Sequence, residues 1–230
     1  MNQSIVSESA RRSLKFRREY HLAGECVIYL LDGLPEHLNI SNIVDQIKKC
    51  IPENLLYGLD AIYIGNYKEL AERDVESVYY AGAIYIKPSQ KSDEDLVSDI
   101  VHEIAHSIEE NFSHMFSLSS IQSEFTKKRK TLYDILNNNG HKLDKKLFLD
   151  LNYSEELDNV LYKEVGYNKI NMLASNLFIS PYAATSLREY FANGFENYFY
   201  KSKLNGISVK DMFSTCPKLL NLLYTLTDSE

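Results

Sequence analysis

The chain has no tryptophan, and its 230 residues include only five prolines and nine glycines. So little punctuation excludes collagen-like and Pro/Gly-rich low-complexity architectures. No linker rich in Pro, Gly or Ser divides the sequence, and no internal repeat is visible. Cysteine is scarce too: Cys26, Cys50 and Cys216 are odd in number and lack metal-ligand spacing. A disulfide framework is therefore excluded, and a reduced chain is expected. No apolar run approaches the roughly 18 residues of a membrane span. The stretch Cys26–Leu31 is too short for a signal-peptide core and is followed by Asp32. The expected location is cytoplasmic, with export by a route that needs no signal peptide left open.

Positive charge is also in deficit, with 25 Lys and Arg against 32 Asp and Glu for a net charge of −7. That balance argues against nucleic acid as a partner, and no membrane partner is expected. Two basic clusters stand against it: Arg11, Arg12, Lys15, Arg17 and Arg18, and Lys127-Lys128-Arg129-Lys130. Both are expected to be solvated helix faces.

What is present is the string His102-Glu103-Ile104-Ala105-His106. Residues four apart on a helix share a face with Cβ atoms about 6 Å apart, so both imidazoles can reach one ion. Zinc accepts such nitrogens at about 2.0–2.1 Å and, in catalytic sites, keeps one position open for water. Glu103 is placed to take a proton from that water. The helix itself is well signalled. Ser92-Asp93-Glu94-Asp95 reads as a capping box after Pro88 and Ser89, and Leu96, Val97, Ile100, Val101, Ile104, Ala105 and Ile108 recur at helical period. The bland alternative is a pair of histidines at the edge of an amphipathic helix.

Zinc needs a third protein ligand. The metzincin pattern would place Gly at 109 and His at 112, where this chain has Glu109 and Phe112. His114 and His141 are isolated and read as surface histidines. The stronger candidate is Glu189, which opens Glu189-Tyr190-Phe191-Ala192-Asn193-Gly194-Phe195-Glu196 in a second, aromatic-rich helix. A carboxylate in the first turn of such a helix completes a His2Glu site.

HEIAH, followed much later by Tyr182 and then by EYFANGF, resembles the gluzincin peptidases. Within them it looks most like the anthrax lethal factor catalytic-domain group, which also includes secreted Pro-Pro endopeptidases. That pattern places a Tyr seven residues before the ligand Glu, as Tyr182 and Glu189 stand here. The resemblance covers only residues 80–200, and strictly those short motifs. It implies one Zn2+ per chain held by His102, His106 and Glu189, with Glu103 as general base. It also implies Tyr182 as a hydroxyl donor to the tetrahedral oxyanion.

The chain departs from the pattern at Asn193, where gluzincins commonly carry an acidic group that orients a ligand histidine. An amide oxygen could still accept an imidazole N–H, and Glu109 or Glu196 could substitute. The segment Ser77–Ile86 reads as β-structure. In peptidases of this resemblance the strand before the HExxH helix borders the cleft, which makes Gly82, Ala83 and Ile84 candidate substrate contacts by strand pairing. The alternative is a hairpin turning at Ala81-Gly82.

The expected fold is α+β: a helix-rich zincin-like domain with a small sheet packed over the HExxH helix. A single domain over 1–230 is expected. It would comprise an α/β lobe at 1–90, zinc-site helices at 91–200 interrupted by a helical insertion at 113–180, and a C-terminal helix at 201–230. Helices are expected at Ile121–Leu136, Leu157–Phe178 and Val209–Leu226, with strands at Cys26–Leu31 and Ala61–Ile64. The expected function is a zinc endopeptidase that cuts a specific protein or peptide by Glu-assisted attack of zinc-bound water. Two alternatives are a catalytically silent binding or regulatory module and a non-peptidase zinc hydrolase such as a deformylase. The second lacks an upstream Gly-rich, Cys-containing ligand motif. Oligomeric state has no signal in the sequence.

Overall fold

The computed structural model describes residues 3–16, 18–111 and 120–227. His114 and Arg17 lie outside them. The chain forms two compact units, Met1–Asn111 and Phe112–Glu230. The fold class is α+β, with abundant helix and one small mixed sheet.

The first unit is built on a five-stranded sheet ordered β1-β2-β3-β5-β4. Its strands are β1 (Glu19–His21), β2 (Val27–Leu30), β3 (Ala61–Ile64), β4 (Ser77–Tyr80) and β5 (Ala83–Ile86). Strands β2, β3 and β5 run parallel and carry nearly the same tetrapeptide, VIYL, AIYI and AIYI, in matched register. Side chains alternate across a strand, so the three tyrosines line one face. Tyr29 stacks on Tyr63, and Tyr63 on Tyr85, at centroid separations of 5.2 and 5.5 Å. Ile5 of α1 (Gln3–Phe16) and Leu70 of α3 (Lys68–Glu72) pack on that side.

The opposite face presents Ile28, Ile62, Ile64, Ile84 and Ile86, all buried. Helix α2 (Ile40–Cys50) and the site helix α4 (Asp93–Asn111) complete this layer. The expected cap of α4 is present, since Asp95 N–H donates to Ser92 Oγ at 3.1 Å. Its first residue, Asp93, accepts from Asn39 N–H and Asn42 Nδ2, which ties α4 to the start of α2. The stripe Leu96, Val97, Ile100, Val101, Ile104, Ala105 and Ile108 is buried to 1% exposure or less. Each large member contributes about 1.5–3 kcal/mol by leaving water, so the register of α4 is fixed by its apolar side.

The second unit is helical among its described residues. It contains α5 (Ser120–Asn138), α6 (Lys145–Leu149), α7 (Glu155–Asn159), α8 (Tyr167–Leu173), α9 (Leu187–Phe199), α10 (Val209–Thr215) and α11 (Pro217–Thr227). Leu132, Leu136, Phe148, Leu157, Leu161 and Ile170 form its main apolar cluster.

Two expected helices are broken. Leu157–Phe178 divides into the end of α7, a π-helical stretch at Val160–Val165, and α8. The break is Gly166 at φ +85°, a conformation other residues adopt only with strain. Val209–Leu226 divides at Cys216, because Pro217 has no N–H to continue α10 and instead starts α11. The second basic cluster is corrected as well. Lys127 and Lys130 are exposed, but Lys128 and Arg129 are buried. Both fall within the stripe Ile121, Phe125, Leu132 and Leu136, which turns them inward.

Candidate metal centre

Helix α4 carries the motif with its apolar stripe inward. His102 is half-buried, while Glu103 and His106 are each 6% exposed. The two imidazoles lie 5.0 Å apart, centroid to centroid, and nearly perpendicular. One turn on, Glu109 Oε2 sits 3.8 Å from His106 Nδ1. That is a charge neighbour rather than a hydrogen bond.

Both oxygens of Glu103 are occupied from β4. Ser77 Oγ donates to Oε1 and Tyr79 N–H to Oε2, each at 2.7 Å. The phenol of Tyr79, pushed up to about 12 by burial and by its hydrogen bond to Glu110, ties the same strand to the same helix face.

The residues Ser77–Ile86 form a hairpin turning on Ala81 and Gly82, at φ +50° and +79°. A Cβ at Gly82 would stand 2.8 Å from Asp60 Oδ2. This corrects the expectation that Gly82, Ala83 and Ile84 take up an extended substrate by strand pairing. Strand β5 is paired on both sides, with β3 and β4, and Gly82 belongs to the turn. The edge strand on this side of the sheet is β4, with β1 at the other edge.

In the helical unit, Glu189 lies in the first turn of α9, where its N–H donates to Ser186 Oγ at 3.0 Å. Tyr182 begins the short 3₁₀ turn Tyr182–Ala184 that precedes this cap. Burial raises its phenol well above the ordinary value, and the carboxylates of Glu189 and Asp158 push it further the same way. Tyr153 and Tyr167 donate to the Asp158 carboxylate, and Tyr153 is also raised, to about 12, by burial, Asp158, Glu155 and Glu189.

Asn193 is engaged within this unit. Its Oδ1 accepts from Ser180 Oγ at 2.6 Å and its Nδ2 donates to the Glu189 carbonyl at 3.0 Å. It thereby ties the segment leading to Tyr182 onto α9. Glu196 pairs with Lys201 at 2.6 Å.

Arg129 fixes the end of the same turn. Its fully buried guanidinium donates to the carbonyls of Phe148 (2.7 Å), Ala184 (2.6 Å), Thr185 (3.2 Å) and Asp150 (3.1 Å). Arg129, Ser77 and Ser180 carry no motif. Only the helical period around Arg129 could have marked it, as an arginine inside an apolar stripe.

Ligand atoms of His102, His106 and Glu189 all lie within 4.8 Å of one another, and this group could hold a metal ion. Two imidazoles and one carboxylate are a donor set suited to zinc and to other borderline divalent ions. His141 is outside this group. Among the described residues no helix is long and apolar enough to cross a membrane. No family model, curated protein or solved structure matches the chain.

Proposed function

We propose that this chain is a zinc-dependent endopeptidase of the gluzincin type, similar in its motifs to the anthrax lethal factor catalytic-domain group. The observation that carries the reading is the convergence of His102, His106 and Glu189 on one small volume. Two ligands four apart on α4, with a carboxylate residue between them, are what a His2Glu hydrolytic site needs.

Zinc held there would supply a Lewis acid that polarises a carbonyl and lowers the pKa of water to about 7. The chain's own side chains account for the rest. Glu103 accepts the proton of the attacking water and returns it to the leaving amine. Tyr182, in the turn just before the helix that carries Glu189, donates a hydrogen bond where negative charge develops on the scissile carbonyl oxygen. The edge strand β4 offers outward backbone groups to an extended peptide, which favours a protein or peptide substrate over a compact small molecule.

A proteome-derived peptide library tests the reading. It would be incubated with zinc-loaded wild type or with Glu103→Gln, and new termini would be read by mass spectrometry. Cleavage at a restricted set of sites by wild type alone is expected. Identical, uncleaved libraries in both arms would contradict the peptidase reading and leave a binding module.

A further inference from the structure

The general base of the proposed site is gripped by a single strand. Ser77 Oγ and Tyr79 N–H each donate at 2.7 Å to a different oxygen of the Glu103 carboxylate. The hairpin explains why both donors come from β4. Tyr80 pairs with Ala83 across the two-residue turn, so Tyr79 and Ser77, opposite Ile84 and Ile86, occupy the alternate positions. Residues at those positions send their backbone groups away from the partner strand. Period-two alternation also turns the Ser77 side chain to the face that carries Tyr79, against α4. One strand therefore presents a hydroxyl and an amide to the same carboxylate.

The two donors differ in what a substrate does to them. An extended peptide that pairs with the β4 edge needs the outward N–H of Tyr79 for its own carbonyl. The Ser77 hydroxyl is a side-chain donor and lies outside the ladder that such pairing would build. Glu103 is 6% exposed, so loss of both donors would take two hydrogen bonds from a buried carboxylate and free it to turn away.

We propose that Ser77 is a positioning residue for Glu103. It holds Oε1 while Tyr79 N–H passes to the bound peptide, so the carboxylate keeps its orientation as Oε2 is released to take the proton. This inference rests on the peptidase reading. It predicts a split between binding and turnover that a merely structural serine would not show. Loss of one hydrogen bond to a charged group is worth about tenfold in rate when it acts on the reacting arrangement alone.

The experiment uses a peptide that zinc-loaded wild type cleaves in the library, with Ser77→Ala and Ser77→Thr compared under the same conditions. Ser77→Ala is expected to bind zinc as wild type does and to keep KM within about twofold, while kcat falls about tenfold. Ser77→Thr restores the hydroxyl and most of kcat. A kcat for Ser77→Ala within about twofold of wild type would overturn the proposal. So would a loss that Ser77→Thr fails to restore, or a loss of zinc from Ser77→Ala. If wild type cleaves no peptide at all, the peptidase reading itself falls and this proposal with it.

Discussion

Replacing Arg129 by Met should be among the most damaging single changes to the helical unit. The guanidinium is fully buried, and its four acceptors are all backbone carbonyls. The Phe125 and Phe148 rings lie 5.3 and 5.1 Å from its central carbon. Methionine fills part of the space but donates nothing. A buried acceptor left unpaired costs about 1–3 kcal/mol. Water entering the vacated volume satisfies some of the four, and the desolvation of the charge is recovered. A net loss of about 3–5 kcal/mol remains, against a total of roughly 5–15 for a folded domain. At a slope of about 2 kcal/mol per molar urea, the midpoint falls by about 2 M. Arg129→Lys keeps the charge without the fork and should lose roughly half as much. Urea titration followed by circular dichroism measures both. A loss below about 1 kcal/mol for Arg129→Met would refute the reasoning, because it would mean the four carbonyls find other partners freely.

Two further outcomes follow from the same geometry. Tyr182→Phe should leave zinc binding intact and reduce kcat about 10²–10³-fold on any peptide that wild type cleaves, the usual loss for one oxyanion donor. Asp32 gives a pH-dependent signature in the sheet unit. Partial burial alone would raise its carboxyl, but Asn66 N–H and the Arg12 guanidinium override that and hold it below its ordinary value. The unfolded chain then binds the proton more readily than the folded one. Its contribution is therefore complete above the unfolded value of about 3.9 and is lost as pH falls through the lower, folded one. Asp32→Asn should be less stable than wild type at neutral pH and show a shallower decline in acid, as thermal melts from pH 7 to pH 3 would record.

Helix α4 was legible because every local rule agreed: a capping serine, an acidic first turn and seven apolar residues at helical period. The aromatic-rich stretch likewise marked Glu189 in the first turn of α9, whereas its capping Ser186 was not picked out. Residues Leu157–Phe178 misled because apolar spacing there continues across Gly166, whose positive φ ends the helix regardless of period. Lys128 and Arg129 misled in the opposite direction. A run of four basic residues suggests solvent, but the stripe on either side carries two of them inside, where carbonyls substitute for water. The grip of β4 on Glu103 was out of reach for a different reason. It depends on which strand ends the sheet, and that order follows from pairing between distant segments rather than from any local pattern.

The central claim is a metal centre formed by His102, His106 and Glu189. Elemental analysis of tag-free wild type beside Glu189→Ala tests it most directly. The account predicts about one zinc per folded wild-type chain and a sharp loss in the variant, as expected when one of three protein ligands is removed. A folded wild type that carries no zinc and takes up none when it is added would contradict the account and leave HEIAH as an ordinary helix face.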